Sequence, residues 1–338
     1  MIDIKRLRQK ILDLAIRGKL VPQDPADEPA SVLLERIHAE KLQMVADGKL
    51  KKKDVANNSV IYLGDDNLHY EKVGDSEPVC IEDELPFELP EGWAWSRLSE
   101  LATVTGGKTP STANRAFWDN GVVPWVTSKD MKTPMIHSSQ TLMTQLAAES
   151  MKIIPANSIL LVTRSGILRR TFPVAINAIA TTVNQDIKAL IPHLPDLTQQ
   201  IYLSLISQEK RILTKYSKDG TTVESIDFDR LYRMPVPVPP LAEQQRIVSI
   251  LYDLLARIDI IEREQTELEE LLAKTRSKVL DLAIRGKLVP QDPADEPASI
   301  LLERIHQEKL QMVADGKLKK KDVAGDSVIF RGDDNSYY

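Results

Sequence analysis

A heptad pattern over residues 241–285 constrains this chain more than any other feature. Apolar residues recur there at alternating steps of four and three, with no Pro or Gly before Gly286. The pattern predicts a helix of roughly 67 Å that needs a helical partner, because its narrow seam would otherwise face water. A long helix packed on its own domain is the alternative interpretation. The seam positions are Ile247, Leu251, Leu254, Ile258, Ile261, Gln265, Leu268, Leu272, Thr275, Val279 and Leu282.

A long internal repeat encloses a unique middle region. Residues 10–56 recur as residues 278–324, an offset of 268, and a weaker echo continues from residues 59–67 to residues 327–335. The period is too long for a solenoid, whose repeats are roughly 20–50 residues. We therefore expect one module used twice, before and after the middle region. The three differences within the repeat are Ile11/Val279, Val32/Ile300 and Ala39/Gln307.

Charge and cysteine content limit the classes of function. The 338 residues carry a formal net charge of −5, but residues 85–235 hold 16 Lys+Arg against 13 Asp+Glu and form the only basic part. A basic middle region is weak evidence for a surface that binds a polyanion. Cys80 is the only cysteine, which excludes a disulfide framework. No signal peptide or membrane-spanning run is evident, so we expect a cytoplasmic protein.

Periodicity and breakers predict a mixed α+β architecture. We expect helices over residues 3–17, 32–46 (with Ser31 as its N-cap) and 197–216, and a polar linker over residues 57–84. Residues 234–240, MPVPVPP, predict a rigid extended hinge before the long helix. Apolar runs between Gly, Pro, Asn and Ser predict strands at Val122–Val126, Ser158–Thr163, Val174–Ile179 and Ile187–Ile191.

Motifs for catalysis are mostly missing from the sequence. Gly106-Gly107-Lys108-Thr109 is similar to the end of a phosphate-binding loop, but Ala102 stands where the first glycine belongs and Pro110 follows at once. No metalloprotease, hydrolase or dinucleotide-binding motif is present, and the five histidines are scattered without ligand spacing. We therefore expect neither catalysis nor a metal in this chain.

Polar and basic residues collect beside glycines in the predicted loops of the middle region. Arg can contact guanine with two hydrogen bonds, while Lys, Ser, Thr and backbone amides hold phosphates. For any single residue, simple solvation at the surface is the stronger interpretation, whereas the group indicates DNA binding. We expect Trp118 and Trp125 to belong to the core. The candidate DNA-binding residues are Gly106, Gly107, Lys108, Thr109, Ser111, Ser128, Lys129, Arg164, Ser165, Arg169, Arg170, Lys218 and Thr221.

Several motifs together resemble the specificity (S) subunit of type I restriction–modification systems. The most specific is MPVPVPPLAEQQRIVSIL at residues 234–251, which runs into the long helix. The others, in chain order, are LPEGW (89–93), GGKTPST (106–112), FWDNGVVPWVTSKD (117–130), TRSGILRR (163–170) and NQDIKAL (184–190). The resemblance covers the whole chain.

This resemblance implies a non-catalytic subunit with defined partners. A target-recognition domain would read one half of a split site in double-stranded DNA, and the helices would dock a methyltransferase (M) subunit that uses S-adenosylmethionine. A restriction (R) subunit would add ATP and Mg²⁺ chemistry. The domains implied are a conserved helical region (1–56), a linker (57–84), a target-recognition domain (85–238), a spacer helix (239–285) and a second conserved region (278–338).

One departure from the family pattern shapes our expectation of assembly. The family's subunits carry two recognition domains, whereas this chain has one, with both flanking repeats. We expect two chains to pair their long helices in an antiparallel coiled coil and to read an interrupted palindrome. Gln265 and Thr275 are either tolerated polar positions or residues that fix the register of that coil. A scaffold or decoy that binds the methyltransferase without reading DNA is one alternative, and an enzyme that acts alone is the other.

Overall fold

The computed structural model of the protein describes residues 2–218, 224–325, 327 and 329–338, except for the side chains of residues 53 and 54. The chain divides into two compact units, Met1–Arg263 and Glu264–Tyr338. Both helices and strands are present, which confirms the predicted α+β class. None of the helices in the described part combines the length and apolar character that a bilayer span requires.

The helices match most of the predicted bounds. The helix predicted at 3–17 spans 4–16, and the predicted long helix begins and ends within a residue of expectation. The α-helices are α1 Ile4–Ile16, α2 Ala30–Ala46, α3 Lys53–Ala56, α4 Leu98–Leu101, α5 Gln145–Ala148, α6 Leu197–Ser207, α7 Glu209–Lys215, α8 Phe228–Tyr232, α9 Leu241–Ile284 and α10 Ala298–Ala314, with 3-10 turns at Glu82–Glu84, Arg115–Phe117, Gly166–Arg169 and Lys320–Asp322.

All four predicted strands are confirmed. The strands are β1 Ser59–Leu63, β2 His69–Val73, β3 Val79–Cys80, β4 Ala94–Arg97, β5 Ala102–Gly106, β6 Val123–Val126, β7 Met135–Ile136, β8 Thr141–Met143, β9 Ile159–Val162, β10 Val174–Asn177, β11 Thr182–Val183, β12 Ile187–Pro192, β13 Ser217–Lys218, β14 Ser225–Ile226 and β15 Pro235–Val238. Further strands that the sequence did not suggest lie on both sides of them.

A five-stranded mixed sheet, in the order β5-β12-β9-β10-β7, forms the centre of the middle region. Alternate residues of β9 enter two separate cores: Ile159 and Leu161 pack in the cluster that includes α6, whereas Leu160 and Val162 pack with residues of β6 and β11. This alternation is the period-two pattern of a strand covered on both faces. The short sheet β11-β6-β8 lies over the second of these cores.

Three expectations about individual segments are wrong. Residues 57–84 are not a linker, because they form the antiparallel sheet β1-β2-β3, whose Ile61 and Ile81 pack against Trp95. Residues 234–240 are extended, as predicted, but they are not a hinge, because β15 pairs antiparallel with β4 and is buried throughout. The expected helix 197–216 is broken at Gln208 into α6 and α7.

The N-cap of α2 also differs from expectation. Pro29, not Ser31, occupies the N-cap position, and no side chain caps the helix. Proline fits there because its fixed φ suits a helix start and its missing N–H would lack an intrahelical acceptor in any case. The amide of Ala30 instead donates to the carbonyl oxygen of Gly92 at 2.8 Å, so the helix start is bonded to the middle region.

A buried ionic network attaches the β1-β2-β3 sheet to the middle region. Arg97 Nη2 and Nε donate to the carboxylate of Glu71 at 2.5 and 3.0 Å, and Nη1 donates to Glu84 at 2.7 Å. Burial by itself would raise the pKa of Glu71, but hydrogen bonds from Arg97 and Ser59 outweigh it and lower that pKa. Each charge is therefore paired, as burial requires.

The first copy of the repeat packs against the middle region of its own chain. Leu33 and Ile37 of α2 are each 2% exposed, and Lys41 forms a buried ion pair with Glu100. Gly18, at φ +63°, lies so close to Pro90 and Trp93 that a Cβ atom there would come within 3.0 Å of both side chains. This copy is therefore part of the folded core of the first unit.

The first half of the α9 seam is buried and the second half is exposed. Ile247, Leu251 and Ile258 are at most 3% exposed, whereas Leu268 and Leu272 are 50% and 47% exposed. Leu254, Ile261 and Gln265 are half-buried, and Val279 is 42% exposed. The buried seam residues Ile247, Leu251 and Ile258 thus all belong to the first unit.

The second copy of the repeat has the same local structure as the first. Helix α10 covers the 17 residues that correspond to α2, and Gly286 and Gly316 repeat the φ values of Gly18 and Gly48 to within 1°. Its helix nevertheless has no buried residue. Local sequence therefore determines the fold of each copy, and packing distinguishes them.

Candidate nucleic-acid interface

Strand register places several of the predicted loops at one edge of the five-stranded sheet. Gly106, the last residue of β5, pairs with Lys188 of β12, and Val162, the last residue of β9, pairs with Ile187. Because β12 runs antiparallel to both neighbours, its first residues lie beside their ends. The loops that follow β5 and β9, which carry residues 107–112 and 164–170, therefore leave the sheet at the same edge.

Segment 183–186, between β11 and β12, joins these loops. Thr109 Oγ1 donates to Gln185 Oε1 at 2.6 Å, the amide of Asn184 donates to the carbonyl oxygen of Val126 at 3.1 Å, and the amide of Thr163 donates to that of Asp186 at 2.8 Å. Three loops, after β5, β6 and β9, are consequently held around one short segment. The bond between Thr109 and Gln185 joins residues that lie 76 positions apart in sequence.

Gly107 is required by this close approach and not by its backbone angles. A Cβ atom at this position would lie 1.7 Å from the carbonyl oxygen of Val183. No side chain fits there without moving the backbone of the loop or of β11. The glycine therefore lets the loop 106–112 lie directly against the segment that organises the edge.

Two tryptophans hold the same loop from the other side. Trp118 Nε1 donates to the carbonyl oxygen of Ser111 at 3.0 Å, and Trp125 Nε1 donates to that of Lys108 at 3.3 Å. Their rings meet edge to face with centroids 5.1 Å apart, within a small apolar cluster that includes Met143. The expectation that these tryptophans belong to the core is confirmed, although both are only half-buried and also support the loop.

The turn after β6 is closed by a carboxylate. Asp130 Oδ2 accepts from the amide and the hydroxyl of Thr127 at 2.8 and 2.9 Å. An aspartate that closes a turn in this way leaves the intervening side chains to project. Lys129 is exposed and Ser128 is half-buried, so the turn presents a cation beside the joined loops.

The loop after β9 rests on β14. Arg164 bridges to Ser225, the amide of Ser165 donates to the carbonyl oxygen of Glu224 at 3.1 Å, and Lys218 pairs with Ser225 across β13 and β14. The arginines at 164, 169 and 170 are all exposed. Thr221 lies outside the described residues.

The cations of this surface differ in whether a carboxylate holds them. Arg169 Nε donates to Glu224 at 2.9 Å, and Lys218 Nζ lies 3.5 Å from Asp227. Over residues 2–218 and 224–325, four other cations of the interface form no ion pair within the chain. These are Lys108, Lys129, Arg164 and Arg170, which are exposed and are therefore available to an anionic ligand.

Two residues of this edge were missed as site residues. Gln185 bonds to the loop 106–112, and the Nζ of Lys188 lies 3.1 Å from the position of a Cβ on Gly106. Both fall within the motif 184–190, but only the register of β12 shows that they reach the other loops. Among the described residues, no cluster of His, Cys, Asp and Glu is arranged to hold a metal ion.

Comparison with known proteins relates this chain to restriction systems. It is 43% identical over 159 residues to the EcoR124I/EcoR124II specificity subunit of Escherichia coli, covering 46% of this chain and 39% of that protein. It is 31% identical to the EcoEI specificity subunit of the same organism, covering 95% of this chain and 58% of the other. The chain thus spans less than two thirds of the length of these relatives.

Structural comparison gives a weaker likeness. The HsdS subunit from Thermoanaerobacter tengcongensis aligns with a TM-score of 0.41 and 20% identity, over 76% of this chain and 56% of that one. The model for the type I restriction modification DNA specificity domain matches residues 90–270. That match extends over more than half of the 338 residues. The chain therefore belongs to the type I restriction–modification DNA specificity family.

Proposed function

We propose that this chain is a non-catalytic DNA-reading subunit whose interface loops read one half of a split site. The observation that carries the proposal is the convergence of three loops on segment 183–186, with Lys108, Lys129, Arg164 and Arg170 unpaired within the described chain. Unpaired cations attract phosphates, and arginines beside them can reach base edges. Family membership supports DNA as the ligand.

The partners follow from the same family. We propose that the helical regions dock a methyltransferase subunit, which binds S-adenosylmethionine and modifies adenine, and a restriction subunit, which uses ATP and Mg²⁺. Neither cofactor would bind this chain. The curated relatives are named as specificity subunits of restriction enzymes, which supports a chain that directs the chemistry of others.

We further propose that two chains form a homodimer that reads an interrupted palindrome. The exposed half of the α9 seam, with Leu268 and Leu272 about half exposed, supports a second helix as its partner. Two identical domains related by a two-fold axis would read the same half-site on opposite strands. The helix between them would fix the distance between the half-sites.

The decisive test is a map of modified adenines in DNA from cells that co-express this chain with its cognate methyltransferase. We expect an interrupted palindrome that is lost when this chain is omitted. An asymmetric split site would show that a different recognition domain is supplied in trans and would contradict the homodimer. Absence of modification, with the methyltransferase still bound, would favour the scaffold interpretation.

Loop variants separate a reader from a scaffold. Replacing Arg164 and Arg170 by alanine should weaken specific DNA binding and reduce the salt dependence of binding by about 0.9 in log–log slope for each phosphate that the variant no longer neutralises. Arg36→Ala, which removes one positive charge from an exposed position of α2, serves as the control for each of the two single substitutions. Unchanged DNA affinity in the loop variant, with methyltransferase binding retained, would contradict the reader.

A further inference from the structure

Helix α1 lies antiparallel against the first half of α9. Arg8 Nη2 lies 2.6 Å from Asp259 and 2.7 Å from Glu262, whereas Asp27, which follows α1, pairs with Arg246 near the start of α9. Ile11 packs against the cluster that contains Ile247 and Leu251. Helix α1, which packs mainly against α6, therefore also covers part of the first half of the seam.

The end of α9 repeats the sequence of this bound helix. At the offset of 268, residues 4–16 of α1 correspond to residues 272–284, which we call the α9 tail. Arg8 corresponds to Arg276, outside the block of near-identity, and Ile16 corresponds to Ile284. The environments are opposite, because Ile16 is 3% exposed and Ile284 is 86% exposed.

We propose that the α9 tail of one chain takes the place of α1 on the α9 helix of a second copy. This inference rests on the homodimer proposed above and specifies its interface. Arg276 then forms the ion pairs that Arg8 forms within the chain, with Asp259 and Glu262 of the second copy. Helix α1 acts as an intramolecular occupant that competes with dimer formation.

The contacts of α1 determine the register of the dimer. Because Arg276 would lie opposite residues 259 and 262 of the second copy, the midpoints fall at 267.5 and 269. The two-fold axis therefore crosses α9 between Leu268 and Glu269, beside the side chain of Leu268, which is 50% exposed. In this register Gln265 lies across from Leu272 of the second copy, so the exposed centre of the seam becomes covered.

In the proposed exchange, the α9 tail makes contacts equivalent to those of α1, and the seam residues around Leu268 are buried in addition. Ion pairs and most apolar positions are equivalent in α1 and the α9 tail, but α1 has Leu7 and Ile11 where the tail has Thr275 and Val279. At these two positions α1 is the more apolar competitor. The equilibrium between the monomer, in which α1 covers α9, and the dimer therefore depends on the equivalent positions 7 and 275 and 11 and 279, which can be substituted in pairs.

Equivalent substitutions should shift dimerisation in opposite directions. Arg8→Ala weakens the intramolecular occupant and should lower the dimer dissociation constant in sedimentation equilibrium. Arg276→Ala removes two symmetry-related contacts and should raise that constant by about fivefold or more. Shifts of the same sign, or no shift in either variant, would overturn the exchange.

Disulfide trapping tests the register directly. In a Cys80→Ser background, Leu268→Cys places two thiols at the axis, within the Cα separation of about 4.4–6.8 Å that disulfides need. Leu272→Cys, an equally exposed position, separates its two copies by about 11 Å along the helices. We expect mild oxidation to give covalent dimers for the first variant only.

The possible outcomes distinguish this inference from the proposed function. Dimers that are trapped at position 272 and not at 268 would leave the homodimer standing and would overturn the exchanged register. A monomer at all concentrations, together with an asymmetric methylation site, would overturn both. Trapping at 268 with opposite effects of the two arginine variants would establish the exchange.

Discussion

The internal repeat allows one substitution to be compared in two environments within the same molecule. Leu33 in α2 is 2% exposed and belongs to the main hydrophobic core, whereas the equivalent Leu301 in α10 is 49% exposed. Leu→Ala removes the same atoms from the same local sequence at both positions. Differences in helix propensity are therefore matched, and only the loss of packing differs.

The burial at Leu33 determines the magnitude. Removing the equivalent of three buried methylene groups costs about 2.4 kcal/mol, and the cavity left in a closely packed core raises this to about 3 kcal/mol. For a unit of this size, that loss lowers the unfolding temperature by about 6–12 °C. Leu301→Ala should change the free energy of unfolding by less than about 0.5 kcal/mol, as exposed positions do.

Tryptophan fluorescence is the appropriate assay for this comparison. All four tryptophans, at positions 93, 95, 118 and 125, lie in the first unit, so their emission follows the unfolding of that unit, and far-UV circular dichroism, which records the helices of both units, follows the Leu301→Ala variant as well. Low protein concentration prevents the second repeat from being buried by another chain during the measurement. Equal effects of the two substitutions would refute the conclusion that packing against the middle region distinguishes the copies.

Three further predictions concern buried and closely packed groups. Burial and the nearby Lys41 lower the pKa of His193 from 6.5 to about 4. As the pH drops from 6.5 to 4, the imidazole therefore takes up a proton in the unfolded state before it does so in the folded state, and the free energy of unfolding should fall by about 3 kcal/mol. His193→Asn should remove this pH dependence in urea titrations. Lys41→Met leaves Glu100 buried without its cation and should destabilise the first unit by about 3–5 kcal/mol, whereas Lys309→Met at the equivalent position of the second copy should cost less than about 1 kcal/mol by thermal unfolding. Gly107→Ala should displace the loop 106–112 and weaken DNA binding in fluorescence anisotropy, while Gly325→Ala, which lies outside the interface and where a Cβ meets no atom within 4 Å, should bind as the parent does; equal affinities would contradict the role of Gly107.

Sequence periodicity predicts correctly those elements whose intrinsic backbone preference agrees with the way they are packed. The α9 helix and strands such as β9 were predictable because an uninterrupted heptad and a short apolar run leave few alternatives. Segment 57–84 was missed because its strands are short and lie in an acidic stretch. Residues 235–238 were missed because proline disfavours a central strand, whereas β15 pairs with β4 alone and needs few amide donors.

The candidate interface was predictable as a set of loops but not as an arrangement. Glycines beside basic residues identified the loops at 106–112 and 164–170, since that chemistry is visible in the sequence. Gln185 and Lys188 contribute through the register of β12, which depends on non-local pairing. The ion pairs of Arg169 and Lys218 likewise depend on Glu224 and Asp227, whose positions follow from the β13-β14 hairpin.

The pairing of β4 with β15 has a consequence for how such proteins can change. Because Ala94 pairs with Val238 and Arg97 with Pro235, the chain enters and leaves the middle region side by side. Trp93 Nε1 donates to Glu243 Oε2 at 2.9 Å, so a bond between two residues outside the segment 94–238 also holds the junction. Everything between the two strands can then be exchanged for another sequence whose ends meet in the same way. A recombination event that replaced the segment between β4 and β15 would therefore leave the strand pair and the Trp93–Glu243 bond intact.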